Sequence, residues 1–155
     1  MNYQYLESPV GRLRLVSNGE QLTAIEFENL QTEEAGGEEC NDPALKACSD
    51  QLDEYFAGKR KNFELPLAPA GTEFQQNVWK ALKAIPYGEL RSYRDIAESL
   101  QNPKAVRAVG AANGKNPLPI VVPCHRVIGS DGSLTGFAGG LEAKRVLLRL
   151  EGAIE

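Results

Sequence analysis

Residues 92–114, SYRDIAESLQNPKAVRAVGAANG, predict two short helices joined by a tight turn. Ser92 matches an N-cap, and Asp95 follows three residues later, where a capping box places its acidic residue. The first helix is expected over 93–100, and the second begins at Pro103 and ends at an Asn-Gly pair. Two short helices joined by three or four residues form a helix-turn-helix pattern.

The second of these helices has unusually small side chains. Its small residues are Ala105, Ala108, Gly110, Ala111 and Ala112. Small side chains allow a helix to approach another surface closely, and that surface is either DNA or a neighbouring helix. The spacing of these residues favours neither alternative.

The N-terminal half predicts a small antiparallel sheet followed by one helix. Three strands are expected, over residues 2–7, 12–17 and 22–27, with an Asn-Gly hairpin turn between the last two. The polar and acidic stretch 31–42 is interpreted as an exposed loop. Asp42 and Pro43 then match the N-cap and first position of a helix that runs to about Ala57.

Charge is divided unevenly between two predicted domains. The stretch 65–71, LPLAPAG, is the best linker candidate, and it separates an N-terminal domain over 1–71 from a C-terminal domain over 72–155. The chain has a net charge of −4, but the first domain carries −7 and the second +3. We therefore expect any nucleic-acid surface to lie in the second domain.

Cysteine and histidine counts exclude several classes of protein. Three cysteines without a CxxC pair fit a reducing compartment, and a single histidine excludes HExxH and Cys2His2 zinc sites, so no metal is predicted. The N-terminus lacks the features of a signal peptide, and no run of about 18 apolar residues is present. These patterns predict a cytoplasmic protein without a membrane span.

The only histidine, His125, directly follows Cys124, between the apolar run 120–122 and the glycine-rich stretch 129–140. Such a cysteine is either a nucleophile or a core residue, because free cysteines are among the most buried residue types. Neighbouring residues on an extended chain point to opposite faces. Proton transfer between the two therefore requires a bent backbone or a water molecule.

The segment 123–128, Pro-Cys-His-Arg-Val-Ile, resembles the O6-alkylguanine-DNA alkyltransferase family. An Asn-Pro pair at 116–117, a Gly-Gly-Leu run at 139–141 and a Glu-Gly pair at 151–152 flank it in the same way. The resemblance covers essentially all of 72–152. It implies an α/β, ribonuclease H-like N-terminal domain with a small antiparallel sheet and a mostly α, winged helix-turn-helix C-terminal domain.

The resemblance also implies the chemistry, which is the direct and irreversible transfer of an alkyl group from guanine O6, and from thymine O4, to Cys124. His125 would accept the thiol proton through a water molecule, and Glu151 would fix the tautomer of the imidazole ring. Tyr93 would protonate the leaving guanine, and Asn116 would brace the turn before the cysteine. Because the acceptor stays alkylated, each protein molecule would act once and need no cofactor.

The same resemblance implies binding of double-stranded DNA through the minor groove, without sequence preference, by a monomer. The target base would be flipped out of the duplex, and Arg107 would take its place in the stack. The other residues implied at the DNA are Ala105, Val106, Ala108, Gly110, Arg94 and Tyr93. Arg126 would tie the active-site segment to neighbouring structure.

The implied base pocket includes Val127, Phe137, Ala138 and Gly139. Many relatives have a tyrosine and a polar residue where this chain has Phe137 and Ala138, so base recognition is expected to rest on backbone N–H groups of the loop and of Val127. Two other functions fit the residues: a non-catalytic helix-turn-helix module and a Cys-His hydrolase whose oxyanion hole comes from the glycine-rich loop.

Overall fold

The computed structural model describes residues 1–31 and 37–155, and its N-terminal part is built on a four-stranded sheet. Strands β1 (Asn2–Ser8), β2 (Gly11–Ser17) and β3 (Leu22–Glu26) form the predicted antiparallel meander. A fourth strand, β4 (Glu38–Glu39), pairs in parallel with β1, giving the order β3-β2-β1-β4.

Strand β4 corrects two sequence predictions. The sheet is mixed rather than wholly antiparallel, and part of the acidic stretch 31–42 is an edge strand rather than loop. The strand has two exposed glutamates and therefore shows none of the apolar alternation by which a strand is recognised. Residues 32–36 of that stretch lie outside the described residues.

Helix α1 (Pro43–Phe56) covers the sheet and confirms the predicted start. The Asp42 side chain accepts a hydrogen bond from the Leu45 N–H at 2.8 Å, and Pro43 occupies the first turn. The buried face of α1 packs against the apolar face of the sheet. The residues fully buried there are Leu13, Leu15, Leu45, Cys48 and Leu52.

The C-terminal part begins with helix α2 (Glu73–Lys83), which is followed by strand β5 (Arg91–Ser92) and helix α3 (Tyr93–Ser99). The Ser92 hydroxyl accepts from the Asp95 N–H at 3.0 Å and the Asp95 carboxylate accepts from the Ser92 N–H at 2.8 Å, which confirms the predicted capping box. Helix α4 covers Val106–Gly114 and packs against both α2 and α3.

Helix α4 begins at Val106, three residues later than predicted, so six residues connect it to α3. The reason is the way α3 ends. Gln101 adopts a φ of +59°, and the Asn102 N–H donates to the Ala97 carbonyl at 3.0 Å, as in a Schellman motif. Gln is an unusual residue at that position, so the longer connection could not be predicted from the sequence. Ala105 consequently lies at the N-cap of α4 rather than within it.

The apolar run 120–122 before Cys124 forms a buried turn. Ile120 has a φ of +76°, a costly conformation for a β-branched residue. The chain then forms a 3₁₀ turn over Cys124–Arg126 and strand β6 (Val127–Ile128), which pairs in parallel with β5. The last helix, α5, covers Leu141–Leu150 and leaves Glu151 as its C-cap.

The N- and C-terminal parts share one continuous apolar core. The Ile25 N–H in β3 donates to the Pro117 carbonyl at 2.8 Å, and the Trp79 indole in α2 donates to the Ala112 carbonyl at 2.8 Å. The first bond holds the segment before Cys124 to the sheet, and the second holds α4 to α2. Among the described residues, no helix has the length and apolar character needed to cross a membrane.

Candidate active site

Cys124 lies at the start of the 3₁₀ turn and is only 5% exposed. The Asn116 side chain braces the turn before it, donating to the Val122 carbonyl at 2.8 Å and accepting from the Leu118 N–H at 3.0 Å. The same asparagine hydrogen-bonds the Cys124 thiol, as does the backbone of Ile120.

Burial raises the pKa of Cys124 to about 11, against the opposing effects of the Asn116 hydrogen bond and the positive charge of Lys144. The cysteine is therefore a thiol at neutral pH. Because the thiolate is the nucleophile, chemistry at this sulfur requires a nearby group that removes the proton.

His125 and Glu151 form a fully buried pair beside the cysteine. The His125 Nε2 atom lies 2.7 Å from Glu151 Oε2, and neither side chain is exposed. Among the described residues, His125 Nδ1 has no hydrogen-bond partner. Because burial lowers the pKa of His125, the ring is neutral at pH 7. With its proton on Nε2, it keeps an unshared electron pair on Nδ1.

Glu151 is surrounded by hydrogen-bond donors. Arg126 donates through Nε to Oε1 at 2.8 Å and through Nη2 to Oε2 at 3.0 Å, and the Gly88 N–H donates to Oε1 at 3.3 Å. Burial alone would raise the pKa of Glu151, but hydrogen bonds from His125, Arg126 and Tyr55 lower it to about 2. The carboxylate is therefore ionised and fixes the imidazole orientation. Arg126 also donates to the Ile85 carbonyl at 2.7 Å, so it ties this turn to the end of α2.

Two residues of this cluster were not singled out from the sequence. Tyr55 of α1 donates its hydroxyl proton to Glu151 Oε2 at 2.6 Å across 96 residues of chain. Lys144 of α5 is fully buried and donates to the Val127 carbonyl at 2.6 Å and the Thr135 carbonyl at 3.0 Å. A lysine on the helix face that also carries Leu147, Leu148 and Glu151 was a signal that the sequence did contain.

The loop that includes Phe137, Ala138 and Gly139 packs against the N-terminal part. The ring of Phe27 meets Phe137 edge-on at a centroid distance of 5.3 Å. A Cβ atom at Gly139 would lie 2.8 Å from the Phe27 ring, so this close approach requires glycine. The Asn29 side chain also donates to the Ala138 carbonyl at 3.2 Å.

Val127 does not have the free backbone N–H that the sequence prediction gave it. Its N–H donates to the Cys124 carbonyl and closes the 3₁₀ turn, while its own carbonyl accepts from Lys144. Since both backbone groups are engaged within the protein, Val127 cannot contact a base through its N–H in this conformation.

Helix α4 presents Arg107 and Ala108 on its exposed surface, with Lys104 exposed just before its first turn. Tyr93 lies next to this helix, because a Cβ at Gly110 would be 3.9 Å from its ring. From residue 99 to residue 130 the sequence contains no Asp or Glu. The exposed face of α4 is therefore small and positive.

A cavity of about 720 Å³ lies between α2 and α3, and Cys124 is not among the residues that line it. Its lining includes Lys80, Leu90 and Ile96. Cys124 is itself buried in this conformation, so the candidate active site rests on the chemistry of the buried cluster rather than on cavity size.

The fold and the site define a two-domain protein whose C-terminal part carries both a buried Cys-His-Glu cluster and a small, positive helix. Two family models match the chain: the ribonuclease-like domain of 6-O-methylguanine DNA methyltransferase over residues 1–69 and the DNA-binding domain of the same family over residues 73–153. The chain belongs to the 6-O-methylguanine DNA methyltransferase family.

Proteins similar to this chain match it over nearly its whole length. A methylated-DNA–protein-cysteine methyltransferase of Methanosarcina acetivorans is 49% identical over 157 residues, which span 99% of each chain. The constitutive methylated-DNA–protein-cysteine methyltransferase of Bacillus subtilis is 48% identical, and the match covers 96% of this chain and 94% of the Bacillus chain. The crystal structure of Mycobacterium tuberculosis OGT in complex with DNA superposes with a TM-score of 0.90 at 47% identity, covering 98% of this chain and 93% of that one.

Proposed function

We propose that this protein repairs DNA by transferring an alkyl group from O6 of guanine, and from O4 of thymine, to the sulfur of Cys124. The observation that carries this proposal is the buried His125–Glu151 pair beside the cysteine, which leaves Nδ1 of the histidine as a base. Full-length similarity to methylated-DNA–protein-cysteine methyltransferases supports the substrate.

The proton and the alkyl group move in opposite directions. His125 Nδ1 takes the thiol proton through a water molecule, and the positive charge on the ring is stabilised by Glu151. The thiolate attacks the alkyl carbon, so the S–C bond forms as the C–O6 bond breaks, and its electron pair stays on guanine. Tyr93 protonates the guanine, and its phenolate then takes a proton from solvent as the imidazolium gives up the thiol proton there. The Tyr93 oxygen accepts a hydrogen bond from Thr135 Oγ1 at 3.2 Å, so its own proton is available for donation.

No step restores the cysteine, because the product is a neutral thioether and its C–S bond would break only with an alkyl thiolate as a poor leaving group. The reaction is therefore stoichiometric, and each molecule acts once. Asn116 holds the turn that carries the sulfur, and Lys144 favours the thiolate through its charge.

DNA is bound by α3 and α4 acting as a helix-turn-helix pair, within a C-terminal domain over 72–155 that follows an N-terminal domain over 1–71. The small exposed face of α4 fits a minor groove, and Arg107 enters the stack as the base is flipped out. The remaining residues of this surface are Ala105, Val106, Ala108, Gly110, Arg94 and Tyr93. Contacts to phosphate rather than to base edges make binding independent of sequence, and a monomer suffices for it.

The flipped base is held by the loop containing Phe137, Ala138 and Gly139. Both side chains at 137 and 138 lack a hydroxyl group, so loop N–H groups supply the polar contacts and the pocket wall is apolar. Because the Cys124 sulfur is nearly fully buried, this loop moves when the base enters.

Mass spectrometry of the intact protein tests the proposed acceptor. After incubation with duplex DNA containing one O6-methylguanine, we expect a gain of one methyl group per protein molecule, located on Cys124 by peptide mapping. The Cys124→Ala variant should gain nothing. The matched control, Cys48→Ala, removes another buried cysteine and should react like the wild type. Methylation elsewhere would contradict the proposal, and turnover of an ester substrate would indicate a hydrolase instead.

Replacing Arg107 with alanine tests the role of α4. The rate of transfer from duplex DNA should fall by about 10- to 100-fold, because nothing then fills the space of the flipped base. Transfer from O6-benzylguanine as a free base should be unchanged. The control, Arg149→Ala, removes an exposed arginine from α5 and should affect neither substrate. An equal loss with both substrates would show that Arg107 supports the fold instead.

A further inference from the structure

Tyr55 is the one residue of the N-terminal part whose side chain hydrogen-bonds the buried cluster around Glu151 within the described structure. It is fully buried in α1 and donates to Glu151 Oε2 at 2.6 Å. The same oxygen lies 2.7 Å from His125 Nε2. The tyrosine hydroxyl and the imidazole N–H therefore share one acceptor atom.

Two donors that share one acceptor oxygen weaken each other's hydrogen bonds. A hydrogen bond to a carboxylate oxygen withdraws part of its negative charge, so a second donor weakens the first. The strength of the Glu151–His125 bond in turn sets how basic Nδ1 is, since the carboxylate stabilises the protonated ring.

We propose that Tyr55 is a positioning residue for the transfer reaction, which holds Glu151 Oε2 and limits the basicity of His125 from the N-terminal domain. The proposal deepens the function proposed above and rests on it for the kinetic test alone. It also gives the N-terminal domain a part in the chemistry of a site whose other polar side chains all lie after residue 84.

The ionisable groups around Glu151 are few among the described residues. They are His125 and Arg126 of the 3₁₀ turn, Tyr55 of α1, and Tyr87, whose hydroxyl donates to the Leu150 carbonyl at 3.3 Å. Lys61 lies 5.6 Å from the Tyr87 ring centroid, and the charge of Lys144 acts on His125. Of the two tyrosines, only Tyr55 bonds the carboxylate.

The matched pair of variants is therefore Tyr55→Phe and Tyr87→Phe. The two rings lie 6.2 Å apart, and each substitution removes one hydroxyl group and keeps the ring. Because the chain has a single histidine, a tag-free sample labelled in histidine gives one imidazole signal. In Tyr55→Phe we expect the Nε2–H proton resonance to move downfield, as the bond to Glu151 strengthens. In Tyr87→Phe it should stay in place.

The pH dependence of alkyl transfer gives a second readout. In Tyr55→Phe the acidic limb should move upward by about half a pH unit, since His125 becomes more basic, while the plateau rate changes less than about threefold. If Tyr55→Phe alters only the melting temperature, and leaves both the resonance and the pH profile at their wild-type values, the proposal is wrong.

Incorporation of 3-fluorotyrosine tests the opposite change. The hydroxyl of 3-fluorotyrosine is a stronger hydrogen-bond donor than that of tyrosine. In the Tyr87→Phe background, its incorporation should therefore move the Nε2–H resonance of His125 upfield. An unchanged resonance would overturn the proposal. This arm decides the matter even where Tyr55→Phe does not fold. Since the spectra need no DNA, they also separate the role of Tyr55 from the proposed function: a wild type that transfers no alkyl group would refute the latter alone.

Discussion

Replacing Glu151 with glutamine is expected to lower the free energy of unfolding by about 3–5 kcal/mol and to slow alkyl transfer by about 100-fold or more. Donors from Tyr55, His125 and Arg126 converge on this carboxylate. An amide offers one acceptor oxygen and places a donor against other donors. The change also leaves the buried charge of Arg126 without its counter-ion, and His125 loses the group that fixes its tautomer.

The pH dependence of stability gives this prediction a distinct signature. The pKa of Glu151 is about 2 in the folded protein and close to 4.5 when unperturbed. A carboxyl whose pKa is depressed by folding stabilises the fold above its unfolded pKa, and that stabilisation disappears as pH falls toward the folded pKa. The difference between wild type and Glu151→Gln should therefore be full at pH 7 and shrink steadily between about pH 4.5 and pH 2.

Glu142→Gln is the matched control, because it makes the same change at the other end of α5. Glu142 is 76% exposed and lies 3.6 Å from Arg145, so its loss should cost less than about 1 kcal/mol. Chemical denaturation at several pH values measures both variants. If Glu151→Gln were as stable as Glu142→Gln, the buried cluster would not hold the fold together in the way described.

The sequence predicted Cys124, His125 and Glu151 as members of one site, but could not supply their geometry. An extended chain would point Cys124 and His125 to opposite faces, whereas the 3₁₀ turn bends the backbone at this point. The turn depends on packing from both domains, since β3 holds the preceding segment through Pro117, and Arg126 of the turn donates to the Ile85 carbonyl just after α2. Contacts between residues this far apart in the chain cannot be predicted from the local sequence.

Tyr55 illustrates the same limit. At helical spacing with Leu45, Cys48 and Leu52 it predicts one more core residue of α1, and it is buried as that pattern indicates. Its hydroxyl bond to a residue 96 positions away follows from the way the two domains pack. Lys144 differs, because a lysine on the buried face of α5 contradicts the apolar pattern and was therefore visible in the sequence.

Charge distribution was informative only after burial was known. The net +3 of residues 72–155 includes Arg126 and Lys144, which are buried, as well as exposed cations. The positive surface therefore comes from a few side chains near α4, such as Lys104 and Arg107, on a stretch without acids. A small positive surface of this kind favours weak, salt-sensitive binding to phosphates.

Methylation of Cys124 is expected to destabilise the protein by about 1–3 kcal/mol, because a methyl group must fit where a buried thiol is already packed. The thiol contacts the Asn116 side chain and the backbone of Ile120. Neither neighbour can easily move to make room for the methyl group, because Asn116 is held by two further hydrogen bonds and Ile120 has a strained positive φ. For a chain of 155 residues, this corresponds to a fall in melting temperature of about 3–10 °C.

The melting temperature after complete reaction and removal of DNA measures this effect, and a larger alkyl group should lower it further. Cys124→Ser treated with the same methylated duplex should melt unchanged, as should wild type treated with unmethylated duplex. An equal or higher melting temperature for the methylated protein would mean that the site has room for the product. The loop at 137–139 would then have to open without disturbing the 3₁₀ turn that carries Cys124. Two contacts argue against such independent opening, because Phe27 packs on Gly139 and Lys144 hydrogen-bonds Thr135. We therefore expect the product to strain both the loop and the turn.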